Sequence, residues 1–466
     1  MKAGFILAVA LYIAVLWAAG LRLPRRPEGL DSFFLASRRL GPWRVALSLC
    51  ASWIGAASLL VSTDEAFRDG FGAIWIIGIP AVTTLVVLTV LTKPVRAWAG
   101  STLPDLMESR YGRPVRVMTT ALIVWYMTVL AASQMVAAGS FLGGILGTPP
   151  VLSLALAAGA VLVYTAAGGL VAVARTHVIQ AALLAVGMAA MIASLLSRTS
   201  WGAVRAAAGR LGKGAYFDVL AGADRNILIA VSFVLAWTIS PIAWQRMQAA
   251  RSESAARRGL LGAAGLLAVF YAGIVAAGML FLPLLPEGTG RAPLVTAFIS
   301  LESGTFLGGL LFMAVLAAIL STMDAALNAG AFALTKDLVG RAAGAGAGRR
   351  PVTLARVSTL GLTAAAFLVA TRFEDILGTL GLASKVMAEG LLVPGLAALF
   401  LKRRAPLAGL LSLACGGGYA VLCFLAEAGL PLVHLPAWPW SLPLGVGLGA
   451  AGFLSGLLVN LTFSRK

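Results

Sequence analysis

The sequence predicts an all-α polytopic membrane protein of thirteen transmembrane helices, and three observations carry that prediction. The 466-residue chain is 60% hydrophobic, only 12% charged, and has a mean hydropathy of +0.93, a composition outside the soluble globular range. Apolar runs long enough to cross about 30 Å of hydrocarbon as helix recur along the whole chain. They are continuously apolar, where a barrel strand would alternate over about ten residues, so a β-barrel is excluded. No stretch between them suits a separate water-soluble domain, and one membrane domain is expected.

In chain order the expected spans are 4–20, 44–63, 71–92, 117–147, 151–173, 177–197, 227–245, 259–285, 305–335, 352–371, 376–400, 406–426 and 440–461. The first run meets LRLPRRPEG without a small-residue cleavage pattern, so it reads as a retained helix rather than a signal peptide. The second, seventh and eleventh spans are interrupted by SWIGAAS at 52–58, WTISPIAW at 237–244 and EGLLVPG at 389–395. The 53 glycines let helices approach closely.

Two thirds of the 36 lysines and arginines lie in the loops 21–43, 93–116, 174–176, 246–258, 336–351 and 401–405 and in the tail after 461. The positive-inside rule puts those segments in the cytoplasm, with the N-terminus outside and the C-terminus inside a cell inner or plasma membrane. The net charge of +18 is dispersed through these short loops and forms no basic patch for nucleic acid. Cys50, Cys415 and Cys423 show no metal-ligand spacing, and two histidines build no metal cluster. A Walker sequence and a GxSxG context are both absent, so neither an enzyme nor an ATPase subunit is expected.

Against this apolar background stands AVLAAILSTMDAALNAG, from Ala314 to Gly330. Ser321, Thr322, Asp324 and Asn328 each cost free energy there unless something pairs with them. A cluster of hydroxyl and carbonyl oxygens suits a hard monovalent cation, and the broken turn around Gly55 would expose carbonyls to meet it. The alternative is structural: hydroxyls bonding back to the preceding turn, and an Asp324 that braces the bundle. Lys385 and Glu389, four residues apart, form either an ion pair or part of a substrate pathway. His177, at the start of the sixth span, either titrates near neutral pH or anchors a helix end. Trp53, Gln134, Trp237 and Trp244 are candidates to line a solute cavity, or else core.

Four segments carry a family resemblance: FFLASRRLGPWRVALSLCASWIGAASL at 33–59, GGLVAVARTHVIQA at 168–181, WQRMQAARSESAARRG at 244–259 and AAILSTMDAALNAGAFALTKDL at 317–338. In this order they resemble the sodium/solute symporter family, which includes sodium-coupled sugar, proline, pantothenate and sialic acid carriers. The resemblance implies a five-plus-five inverted repeat, with 44–200 as the first repeat and 226–400 as the second. Residues 1–43 and 401–466 then lie outside that core. It implies a Na+ site between the broken second span and the ninth, with carbonyls from Ala51, Ile54 and Ala318 and side-chain oxygens from Ser321 and Thr322. It implies import of a small organic solute with sodium by alternating access. One position departs from the pattern: many members have aspartate after the threonine, where this chain has His177. A proton-coupled or uncoupled carrier of the same fold therefore stands beside the sodium reading, as does a non-transporting membrane sensor. Trp53 replaces a polar residue of several relatives, so no relative's substrate carries over.

Overall fold

The computed structural model describes residues 2–22, 27–98, 100–285, 293–339, 350–372, 381, 384–427, 435–436 and 439–463. Its named elements are all helical: α1 (Lys2–Leu21), α2 (Pro42–Trp53), α3 (Ser62–Asp69), α4 (Gly78–Ala97), α5 (Leu103–Tyr111), α6 (Arg113–Leu146) and α7 (Pro150–Arg198) come first. They are followed by α8 (Ala223–Thr238), α9 (Pro241–Ala249), α10 (Glu253–Phe281), α11 (Phe306–Ala333), α12 (Arg350–Ala370), α13 (Leu392–Phe400), α14 (Pro406–Ser412) and α15 (Leu442–Phe463).

Among the described residues, nine helical stretches are long and apolar enough to cross a membrane, or ten if the bent pair α8–α9 is one span. The chain is thus a multi-pass membrane protein, and this count is lower than the thirteen that hydropathy predicts. Two stretches account for much of the difference. Ala57–Ala97 and Pro150–Arg198 are stretches of 41 and 49 residues, the first passing through a turn at Ile76–Ile77, and each joins segments that the sequence divides between spans. The expected span 376–400 lies partly outside the described residues.

α7 is not one straight rod. Gly169 sits inside it at φ 53°, ψ −139°, a region that only glycine enters freely. A Cβ there would collide with the Phe33 carbonyl of the short helix Leu30–Phe34. The first glycines of GGLVAVARTH thus make a kink that receives the segment ahead of α2. α2 stops at Trp53, and after two non-helical residues the chain resumes as a π turn at Ala57–Val61 that leads into α3. α8 and α9 meet at 43°, broken at Ser240–Pro241; Pro241 supplies the first residue of α9, where its missing N–H costs nothing.

α11 lies at the centre, with every residue from Ala314 to Ala333 buried, and packs against α6 and α7. α10 packs against α2 and α4, α1 against α7, and α14 against α15. Leu40 and Ala250 pair as a short parallel bridge, Leu40 N donating to Ala249 O at 3.0 Å, and so join the chain before α2 to the chain after α9. At the same end, Lys336 pairs with Asp105, and Thr102 donates to Asp337 Oδ1 at 3.1 Å.

Two local expectations change. Arg246, assigned to a cytoplasmic loop, lies in α9 with 0% exposure, because α9 continues to Ala249. His177 does not begin a helix: it lies eight residues beyond the Gly169 kink, inside α7, and is fully buried.

Candidate functional site

The break in α2 is shaped by contact with α6 and α11. Ile54 leaves helical geometry at φ −90°, ψ 79°. A Cβ on Gly55 would lie 2.9 Å from both Gln134 Oε1 and Thr322 Oγ1, so only glycine permits this approach. The freed Ala56 N–H donates to Gln134 Oε1 at 3.0 Å. Ser321 Oγ lies 2.8 Å from Ala51 O and 3.2 Å from Ala318 O. Ala51, Ala318, Ser321 and Thr322 therefore converge at the break, and Ile54 is buried beside them. Thr322 Oγ1 is buried without a hydrogen-bond partner in the protein, a cost that a bound cation would remove. The donor set of carbonyls and hydroxyls fits a hard monovalent cation. Among the described residues no group of three or more His, Cys, Asp or Glu side chains forms a transition-metal site.

Asp324 does not point its charge into open space. Its Oδ1 lies 2.7 Å from His177 Nε2, and its Oδ2 accepts from Tyr164 OH at 2.5 Å. His177 Nε2 also lies 3.2 Å from Ser321 O, while its Nδ1 is 3.0 Å from Ser48 Oγ and 3.1 Å from Ser48 O. His177 thus sits directly between α2 and α11. Arg246 Nη1 donates to Gln245 Oε1 at 2.9 Å, and Gln245 Nε2 donates to Asn328 Oδ1 at 2.9 Å. Arg246 Nε reaches Ser48 Oγ at 3.4 Å. This answers Asn328 and Asp324 as polar residues of a greasy helix: each has side-chain partners on another element.

A partly open pocket adjoins the break. Trp53, Tyr126, Gln134, Trp237, Ser240 and Thr322 contribute to its wall. The Trp53 and Trp237 rings stack with centroids 6.0 Å apart. A second, smaller pocket is lined by Thr102, Trp244, Gln245 and Phe332. Three of the four expected lining residues share the first cavity, and Trp244 belongs to the second. Lys385 and Glu389 line neither. The Met387–Leu391 segment is a π turn. Glu389 packs against Gly445 of α15, where Ser441 Oγ lies 3.3 Å from its Oε1.

Sequence reasoning missed Ser48, Tyr164 and Arg246. Tyr164 is an aromatic in an apolar run and gave no signal. Arg246 gave one, as a lone arginine between two glutamines in WQRMQAARSES.

A multi-pass bundle with helices broken at mid-chain, an oxygen-lined gap and an adjoining cavity defines a secondary transporter. The sodium:solute symporter family model matches residues 33–416, and the chain belongs to that family. Curated relatives include a sodium/glucose cotransporter of Vibrio parahaemolyticus, 28% identical over 85% of this chain and 79% of the relative. A sodium/proline symporter of Staphylococcus aureus is 25% identical over 71% and 67%. Among solved structures, a Na+-coupled sialic acid symporter in a substrate-bound outward-open state superposes with a TM-score of 0.82 at 18% identity, covering 98% of this chain and 97% of that one. A nucleobase-cation-symport-1 family transporter gives 0.51 at 15% identity, covering 96% and 95%. The fold is thus an inverted-repeat-like helix bundle, and the protein is a sodium-coupled secondary transporter of a small organic solute, not an enzyme.

Proposed function

We propose that sodium binds at the α2 break, held by the carbonyls of Ala51, Ile54 and Ala318 and the hydroxyls of Ser321 and Thr322. The unpartnered, buried Thr322 Oγ1 facing Gly55 is the observation that carries this reading. Sodium there ties α2 to α11 and favours the state that admits solute to the adjoining cavity, where Trp53, Gln134 and Trp237 meet it. Closure and inward opening release both, Trp244 and the second cavity lying on the way. A tenfold gradient supplies about 1.4 kcal/mol, and the membrane potential adds about 2.3 kcal/mol per charge per 100 mV.

His177 is compatible with this site because Asp324, which matches the family motif, stands across from it on α11. Asp324 thereby acts as a brace for His177 rather than a sodium ligand, and Lys385 and Glu389 act in packing rather than along the pathway.

The same reading assigns thirteen spans. At about 1.5 Å per residue, a straight helix of the length of α7 would run roughly 70 Å, more than twice the hydrocarbon thickness; the Gly169 kink supports dividing it into two spans. Residues 44–200 and 226–400 are the two repeats, and each begins with a broken span, at Gly55 and at Ser240–Pro241. The N-terminus is outside and the C-terminus cytoplasmic. The direct experiment is thermal stabilisation of purified protein across a sodium series, with choline and potassium controls. Saturable, sodium-specific stabilisation is expected; none in folded protein would overturn the site.

A further inference from the structure

We infer that the transported solute is a small, uncharged, ring-bearing molecule with few hydrogen-bonding groups, such as a cyclic amide or a nucleobase-like heterocycle. The inference rests on the transport reading above and concerns what the central cavity can recognise.

Charge is decided by the wall. Among the described residues no Asp, Glu, Lys, Arg or His lines the cavity, and a charge moved there from water needs a partner to offset several kcal/mol of desolvation. Charged groups in the surrounding core stand outside this wall: both Asp324 oxygens are taken by His177 and Tyr164, and Arg246 bonds to Gln245 through Nη1 and keeps a buried Nη2 without a partner. Thr322 is the one wall residue shared with the proposed sodium site, whose ion is already met by carbonyls and hydroxyls.

The number of polar groups is decided by what the wall has left to offer. Gln134 already accepts from Ala56 N and donates to Ser133 Oγ at 3.1 Å, leaving a second amide N–H. Ser52 Oγ donates to Leu49 O at 3.0 Å, and Ser58 Oγ lies 2.9 Å from Trp53 O and 2.8 Å from Tyr271 OH. A sugar would bring many hydroxyls to a wall whose remaining groups are the Gln134 N–H and the Ser240 and Thr322 hydroxyls, and each hydroxyl left unpaired costs about 1–3 kcal/mol.

A ring is favoured by the aromatic column. Trp53 stacks on Trp237, and Trp237 on Phe233 with centroids 4.8 Å apart. These separations are direct ring contact, so the column is closed and presents a rigid aromatic surface that a flat solute covers at little entropic cost.

The test is sodium-driven accumulation in proteoliposomes, read by mass spectrometry, from pairs that differ in charge: nicotinamide with nicotinate, uracil with orotate, and 2-pyrrolidone with proline, together with glucose. The expected result is at least tenfold preference for the uncharged member of one or more pairs and no uptake of glucose. Preference for a carboxylate, for proline or for glucose overturns the inference. So does failure of every uncharged member in protein that sodium still stabilises. Absence of sodium stabilisation sinks the coupling reading and this inference with it. Gln134→Glu keeps an acceptor for Ala56 N and places a carboxylate in the wall; it should cut uptake of the preferred uncharged probe at least tenfold while sodium stabilisation persists. Unchanged uptake in that variant would also count against the proposal.

Discussion

His177 Nε2 lies 2.7 Å from Asp324 Oδ1 with both side chains fully buried, and the contact joins α7 to α11 beside the break in α2. Each residue keeps other partners, Tyr164 for Asp324 and Ser48 and Ser321 for His177, but replacing one leaves the other without its shortest contact in this pair, at about 1–3 kcal/mol for a buried polar group left short of a partner. His177→Ala and Asp324→Asn should each lower the melting temperature in sodium-free buffer. The double variant should lose less than the sum, since residues in contact couple by about 0.5–3 kcal/mol. Additive losses would show that the contact carries no weight.

Thr322→Val separates ion binding from folding. The hydroxyl has no partner in the protein, so exchanging it for a methyl removes a buried polar group without breaking a hydrogen bond. Sodium-free stability should stay within about 0.5 kcal/mol or rise, while sodium-induced stabilisation falls at least tenfold in apparent affinity. Ser321→Ala differs, because Ser321 Oγ bonds to Ala51 O across the two helices; it should lose both sodium response and some intrinsic stability. A Thr322→Val protein with the parent's sodium titration would remove that hydroxyl from the site.

Gly55→Ala tests the close approach at the break. The added Cβ meets Gln134 Oε1 and Thr322 Oγ1 at 2.9 Å, so these side chains must shift from the positions they hold at the break, at about 1–3 kcal/mol for overpacking. Transport and sodium stabilisation should both fail. Gly159→Ala, where nothing lies within 4 Å, is the control and should be neutral or slightly stabilising. Equal behaviour of the two variants would mean that the break tolerates a wider gap than its geometry implies.

These residues also mark how far the sequence can be read. Ser321 and Thr322 were legible because a polar pair in a continuously apolar run must be explained locally. Gly55 was legible for the same reason, as the centre of an interrupted span. Ser48 and Tyr164 were not, since they meet the His177–Asp324 pair across 129 and 160 residues of sequence, and nothing local records such a contact. Arg246 was misplaced because an arginine after an apolar run reads as a loop charge; only the continuation of α9 to Ala249 shows that it turns inward. Hydropathy divided 150–198 into two spans, whereas backbone hydrogen bonding runs through it and only Gly169 interrupts the geometry.

The proposed orientation is open to a labelling test with two exposed positions. Ala215 lies in the 198–226 segment that the charge distribution places outside, and Ser254 in the 246–258 segment placed inside; both are exposed. Of the native cysteines only Cys415 is exposed, Cys50 and Cys423 being buried, so a Cys415→Ser background suffices. In intact cells, a membrane-impermeant maleimide should label Ala215→Cys readily. Ser254→Cys should react only after permeabilisation, because the basic residues Arg251, Arg257 and Arg258 around it resist translocation. The reverse pattern would invert the topology.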